Sequence, residues 1–249
     1  MEHKEYIRIV PGSKKAVLLI HGIAGSPAHF RDLVPVIPED WSVYNILLDG
    51  HGKTVKDFAN TSMKKWKAQV VTTLKELFSQ YDHLVLVAHS MGTLFSIQAA
   101  IDFPDKIDGL FLLGVPTRPW VRASTVATSL RVSRGDISPD DAAALAMFGD
   151  TSIQLVKNPI SYIGWAPRMV ELLAECSRVR KALPQLAIPC RVYQSHTDEL
   201  VSLRSARDLS NHPHIALTVL TDSGHFVYGP EDAQLLQQDL IKMLTEAAG

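Results

Sequence analysis

The sequence has little of what marks most specialised protein classes. Its 249 residues hold only two cysteines, Cys176 and Cys190. Two thiols cannot staple a chain of this length, so a secreted disulfide scaffold is not expected; both are read as buried, reduced thiols in a helix and a strand. There is no excess of one charge: 25 Lys and Arg face 26 Asp and Glu, for a formal net charge of −1. A near-neutral chain has no electrostatic footprint for nucleic acid or for an anionic membrane surface. No apolar run approaches the roughly 20 residues that span a bilayer, so stable membrane insertion is not expected. The first ten residues, MEHKEYIRIV, carry charges where a signal peptide would place its apolar stretch, and a cytoplasmic location is the expectation. Repeats and low-complexity segments are missing too, which argues against a solenoid.

What is there is an alternation. Short apolar, β-branched runs occur at Ala16 to Ile20, Val43 to Leu48, Leu84 to Ala88, Leu110 to Leu113, Cys190 to Tyr193 and Ala216 to Leu220. Most are nearly continuous in apolar residues, as strands covered on both faces must be, which points to a parallel sheet. Helical patterns fall between them, at Met63 to Phe78, Met91 to Phe103, Ser202 to Leu209 and Asp232 to Leu244. Strand and helix alternating in this way predict a doubly wound α/β fold.

One stretch breaks the rhythm. From Thr117 to Leu183 there are helical fragments punctuated by Pro119, Pro139, Pro159 and Pro167, and no convincing strand. An insertion of short helices there could cover the carboxyl edge of the sheet, where open α/β sheets hold ligands. Its apolar residues include Trp120, Val121, Met147, Phe148 and Trp165. Packing onto the main domain explains such residues as well as a pocket does; Trp120, Met147, Phe148 and Trp165 are the candidates for substrate contact.

Three segments carry chemistry. In the first, the strand ending at Ala88 runs into Ala88-His89-Ser90-Met91-Gly92 and a helix follows at once. This spacing is the nucleophile elbow: small residues two places on either side let a sharp turn form, and the serine hydroxyl is left at a helix N-terminus that favours developing negative charge. The alternative is an ordinary turn with a capping serine. The second is His21-Gly22-Ile23-Ala24-Gly25 after the first apolar run, a loop able to aim the Ile23 N–H, paired with that of Met91, at a carbonyl oxygen. Alone, it would read as a plain strand-to-helix connection. The third is Asp198, at the end of a strand, followed after the next strand by Gly224-His225. Serine, acid, histidine is the order this fold uses. His225 titrates near neutrality and can take the Ser90 proton and return it, and Asp198 would hold the imidazole. Asp222 and Glu199 are rival acids, and Asp198 is preferred.

His21-Gly22-Ile23, Gly50-His51-Gly52, Ala88-His89-Ser90-Met91-Gly92, Asp198 and Gly224-His225 stand in the order of the α/β-hydrolase superfamily. Over nearly its whole length the chain resembles the bacterial carboxylesterase and monoacylglycerol-lipase branch of it. The resemblance implies an eight-stranded, mostly parallel sheet built from residues 1–116 and 184–249, with residues 117–183 inserted as a helical cap. It implies a catalytic triad of Ser90, Asp198 and His225, oxyanion donors at Ile23 and Met91, and no cofactor. The implied partner is a small ester, with short- to medium-chain acyl esters or monoacylglycerols as substrates; both monomer and homodimer fit. Ala88 replaces a glycine common in relatives, and Asp49 a proline; neither removes a catalytic group.

Rival readings keep the fold. The same triad serves thioester hydrolysis, acyl transfer, carbon–carbon bond hydrolysis or perhydrolysis. Dehalogenase and epoxide-hydrolase chemistry fits less well, since those relatives place an aspartate at the elbow. A non-catalytic binding protein of this fold would be expected to lack one member of the triad. His21, His51, His89 and His196 invite a metal, yet none has ligand spacing on one helix face, so no metal is assigned and His21 and His51 are expected to hold their loops by hydrogen bonds. Lys64-Lys65-Trp66-Lys67 reads as a solvated helix face.

Overall fold

In the computed structural model, which describes residues 3–120 and 123–248, all six apolar runs form strands. Val121 lies outside the described residues. In chain order, β1 (Tyr6–Arg8), β2 (Lys15–Ile20) and β3 (Ser42–Ile46) precede α1 (Val55–Ala59) and α2 (Met63–Phe78). Then come β4 (His83–His89), α3 (Met91–Asp102) and β5 (Gly109–Leu113), and after them α4 (Ala123–Arg134), α5 (Ala142–Asp150) and α6 (Ala166–Ala182). The chain closes with β6 (Cys190–Ser195), α7 (Arg204–Leu209), β7 (Ile215–Leu220) and α8 (Pro230–Ala247).

The strands form one sheet in the order β1-β3-β2-β4-β5-β6-β7, with β1 antiparallel and the rest parallel. Eight strands were expected and the described residues form seven. The strand that apolar runs do not reveal is β1, a short edge strand whose Ile7 is exposed. Side chains alternate between two cores, as strand geometry requires. Leu18, Ile20, Leu86 and Leu112 face one side with Trp66, Val70 and Leu74 of α2, Leu94 and Ile97 of α3, and Cys176 and Val179 of α6. Val17, Leu19, Val85 and Phe111 face the other with Leu236, Leu240 and Leu244 of α8. Each such aliphatic side chain contributes about 1.5–3 kcal/mol by leaving water. α2 shows the cause in its sequence: Met63, Trp66, Val70, Leu74 and Leu77 recur at helical spacing, and the Ser62 hydroxyl accepts from the Lys65 N–H to cap the first turn. Lys64 and Lys65 are exposed, while Lys67 pairs with Glu175 at 3.3 Å.

The topology fixes where a ligand can sit. From β2 the chain moves outward to β3, then returns across β2 to β4, so the strand order reverses between β2 and β4. The crevice at the carboxyl ends of such a pair is the binding place of open α/β sheets. Between β5 and β6 lie α4, α5, a tight 3-10 segment at Pro159–Trp165 and α6. This stretch is tied to the crevice loops: the Ser152 N–H and hydroxyl donate to the carbonyls of Ala24 (3.0 Å) and Gly25 (2.7 Å), and the Trp165 indole donates to the Val55 carbonyl at 3.1 Å. Cys176 and Cys190 are buried and free, and burial raises the pKa of both thiols, so neither is a candidate nucleophile. Among the described residues, no helix is long and apolar enough to cross a membrane.

Candidate active site

Ser90 sits at the point where β4 becomes α3. Its backbone is left-handed (φ 51, ψ −120), a conformation that costs a non-glycine residue about 1–3 kcal/mol and persists only where its surroundings impose it. The neighbours do impose it. The Ser90 N–H donates to the Leu113 carbonyl at 2.9 Å, and the Ser90 carbonyl accepts from both the N–H and the hydroxyl of Thr93. A Cβ on Gly92 would lie 2.1 Å from the Ile20 carbonyl oxygen, so no side chain fits there. The Ser90 hydroxyl does not cap the helix it precedes, which removes the capping-serine alternative.

Parallel register brings the second loop alongside. Ile20 pairs with Ala88, which carries Gly22 abreast of Ser90 and sets Ile23 in the loop just beyond. A Cβ on Gly22 would lie 3.0 Å from the Ser90 Cβ, so glycine is what lets the two loops approach. Two buried histidines hold this loop, as expected. His21 Nε2 accepts from the Leu48 N–H, and His51 Nε2 accepts from the Ala24 N–H, each at 3.1 Å. Burial lowers the pKa of both, His21 to about 4, so they are neutral acceptors at physiological pH.

The loop after β6 carries Asp198 and the loop after β7 carries His225. His225 Nδ1–H donates to Asp198 Oδ2 at 2.8 Å, both side chains being buried. Asp198 Oδ1 accepts from the N–H groups of Leu200 and Val201 at 2.7 Å each, which fixes the carboxylate. Of the rival acids, Glu199 accepts from the His225 backbone N–H at 2.8 Å and Asp222 lies within its own turn, its carbonyl accepting from the Gly229 N–H; Asp198 is the one on the imidazole. Gly114, next to the Leu113 that anchors Ser90, has the imidazole within 3.5 Å of its would-be Cβ. Serine and histidine therefore flank the same peptide at the end of β5. Among the described residues the Ser90 hydroxyl is not hydrogen-bonded to His225. Burial pulls the Asp198 carboxyl up, but the charge and hydrogen bond of His225 and the two N–H groups outweigh it and leave its pKa low. Burial pulls His225 down, and Asp198 first, then Asp150 and Glu199, carry it above its ordinary value.

A polar cluster lies behind the serine that the sequence pattern did not single out. His29 Nδ1–H donates to Asp150 Oδ1 at 2.9 Å, with both side chains buried. His29 Nε2 lies 3.1 Å from the Tyr228 hydroxyl. Its ring stacks on His89 at 3.6 Å between centroids, 15° from parallel, and His89 Nε2–H donates to the His225 carbonyl at 3.0 Å. Possible ligand atoms of His29, His89 and Asp150 lie within 4.8 Å of one another. Stacked rings do not share a coordination plane: an ion in the plane of one imidazole would lie roughly 3 Å out of the plane of the other, beyond a zinc–nitrogen bond of about 2.0–2.1 Å. The cluster is a hydrogen-bonded network. His29 and Asp150 are 121 positions apart, and nothing in local spacing announces their pairing.

Beside the loops is an apolar cavity of about 350 Å³, lined by Ile23, Ala24, Gly25, Leu200 and Phe226 from the sheet edge and by the insertion opposite. Met147 and Trp165 line it; Trp120 and Phe148 do not. The structure thus brings two of the four candidate contacts to this cavity and places the other two away from it. Trp120 is 60% exposed and lies under the Arg204 guanidinium, 5.8 Å from its ring centroid. Phe148 follows Met147 on α5, a helix step of about 100° turns it outward, and it is 52% exposed.

A family model for the alpha/beta hydrolase fold matches residues 15–144, just over half of the chain. Pyrrolizixenacetamide deacetylase of Xenorhabdus hominickii is 25% identical over 257 residues, spanning 93% of this chain and 92% of its own length. Carboxylesterase of Bacillus subtilis (strain 168) is 22% identical over 238 residues, spanning 94% and 93%. Among solved structures, the monoacylglycerol lipase of Paleococcus ferrophilus superimposes with a TM-score of 0.71 at 16% identity, over 99% of this chain and all of that one, a likeness of fold.

Proposed function

The chain belongs to the α/β-hydrolase fold family, and from that premise we propose that it is a serine hydrolase that cleaves small carboxylic esters through an acyl-enzyme on Ser90. One observation carries the reading: a serine held in a strained turn, its hydroxyl unused by the helix, faces the same strand end as an imidazole fixed by a buried carboxylate. In this reading Ser90 Oγ attacks the ester carbonyl and His225 Nε2 takes its proton. The N–H groups of Ile23 and Met91 receive the negative oxygen, a contribution that in such sites is worth about 3–4 kcal/mol per donor. His225 then gives the proton to the departing alcohol, and water activated by the same nitrogen frees the acid. Asp198 stabilises the imidazolium throughout.

The cavity supports a short to medium acyl or alcohol group. At roughly 30 Å³ for a group the size of a water molecule, 350 Å³ holds about a dozen such groups. The segment 117–183 serves as the cap, with Met147 and Trp165 as its substrate contacts. An intracellular location accords with two buried free thiols. The Xenorhabdus relative is named a deacetylase of an acetamide, which brings N-acyl substrates in as a second reading: the same steps with a poorer leaving group.

A panel of p-nitrophenyl esters of increasing acyl length, with an anilide alongside, tests this against Ser90→Ala. The wild-type protein should hydrolyse the shorter esters and take a fluorophosphonate label on Ser90, and the variant should lose both, by about 10⁴-fold or more in kcat. Wild-type turnover in the variant would overturn the proposal.

A further inference from the structure

The cavity is lined mainly by apolar groups and, among the described residues, holds one charged group, which the mechanism does not use. Asp150, the last residue of α5, lines it. Burial pushes its carboxyl up, and His29, with His225 and His21, more than offsets that and holds it below the usual carboxylate value, so it is an anion at neutral pH. Its two oxygens differ. Oδ1 accepts from His29 at 2.9 Å. Oδ2 has no hydrogen-bond partner among the described residues and lies against Gly25, 3.1 Å from where a Cβ would stand.

The rest of the lining does not neutralise that oxygen. The hydroxyls of Ser129, Ser133, Thr151 and Tyr162 donate to the carbonyls of Thr125, Leu130, Met147 and Val156. Among the described residues, no Lys, Arg or His lines the cavity. The Asp150 side chain is largely buried, and with no protein donor on Oδ2 that oxygen can be paired only by water in the cavity or by a ligand that supplies a donor. Gly25 belongs to the loop that carries Ile23, so Oδ2 borders the region entered by the chain attached to the reacting carbonyl.

We propose that Asp150 is a specificity residue whose Oδ2 accepts a hydrogen bond from an N–H or O–H on the substrate's cavity-bound portion, and that it rejects substrates carrying a carboxylate there. This rests on the esterase reading. Charge repulsion beside a largely buried carboxylate is less screened than at the surface, so a carboxylate should carry a penalty that depends on the charge of Asp150 rather than on its shape.

The experiment uses three esters of equal length: p-nitrophenyl pentanoate, the same ester ending in a carboxylate, and the same ester ending in an acetamide N–H. In the wild-type protein kcat/KM for the carboxylate ester should fall at least tenfold below pentanoate, and the acetamide ester should equal or exceed it. Asp150→Asn should shrink the carboxylate penalty at least fivefold. The same carboxylate-to-pentanoate ratio in Asp150→Asn as in wild type would overturn the proposal. Should Asp150→Asn fail to fold, the wild-type ratio still decides: equal rates on pentanoate and its carboxylate counterpart refute it. Hydrolysis of no ester, with no labelling of Ser90, would instead sink the esterase reading.

Discussion

Replacing Asp198 by asparagine separates the two services this carboxylate gives. Asparagine can keep its oxygen on the Leu200 and Val201 N–H groups, so the loop should hold its shape. Its NH₂ then faces His225 Nδ1 and forces the imidazole proton onto Nε2, the nitrogen that must accept from Ser90. The charge is lost as well. At 2.8 Å and an effective dielectric of about 20, a carboxylate and an imidazolium attract by about 6 kcal/mol. That attraction is felt only once His225 is protonated, in the transition state, and corresponds to about four orders of magnitude in rate. The expected result is a kcat about 10³–10⁴-fold down, KM little changed and the melting temperature within a few degrees of wild type. The pH profile gives a second reading. In the proposed mechanism His225 works as the neutral base, and its pKa stands above 6.5 chiefly because Asp198 offsets the downward pull of burial. Wild-type kcat/KM should therefore rise with pH through a midpoint above 6.5, and the residual activity of the variant should rise through a lower one. A variant within tenfold of wild type, or a midpoint moved to higher pH, would refute the assignment of Asp198, and Glu199→Gln would become the substitution to examine.

Two further predictions concern stability and chain length. Burial lowers His21 to about 4, so between pH 6.5 and 4 the unfolded chain binds a proton that the folded one does not. Stability should then be lost as pH falls below 6.5, by about 3 kcal/mol from this residue, with His51 and His89 adding in the same direction. Melting temperatures from pH 8 to 4.5 check this: His21→Gln should flatten the decline, and a wild-type curve flat below pH 6.5 would contradict it. Met147→Trp should fill part of the cavity and shift the acyl preference to shorter esters, while Phe148→Ala should leave the preference within twofold; the reverse pattern would place the cavity wrongly.

The sequence was most readable where one physical demand acts on neighbouring positions. Strands covered on both faces must be apolar throughout, so β2 to β6 stand out, and α2 shows its buried stripe in five residues; β7, at the other edge, shows as an apolar run although Ala216 and Val219 are exposed. β1 escaped because an edge strand has no such demand: Ile7 is exposed and Arg8 turns its guanidinium to the carbonyls of Ile37, Pro38 and Trp41. The elbow and the glycines around it were legible for the same local reason, since backbone approach at Gly22 and Gly92 admits no other residue. Contacts across the fold were not. Trp120 and Phe148 share the composition of pocket residues, and only the direction in which each leaves its backbone decides that they face water. The union of His29 with Asp150 depends on where the insertion lands, which no window along the chain reports.

The insertion departs after β5 and rejoins at β6, and these two strands are neighbours in the sheet. The roots of Ser90, Asp198, His225 and the Ile23 loop therefore lie outside it. On the proposed reading, evolution can exchange this segment as a lid for another and inherit the bond-breaking apparatus intact, so relatives would diverge in taste sooner than in chemistry. Asp150 is where that independence ends: a borrowed lid lacking an acid at this place would orphan His29, and successful grafts should bring a partner for it or lose the histidine as well.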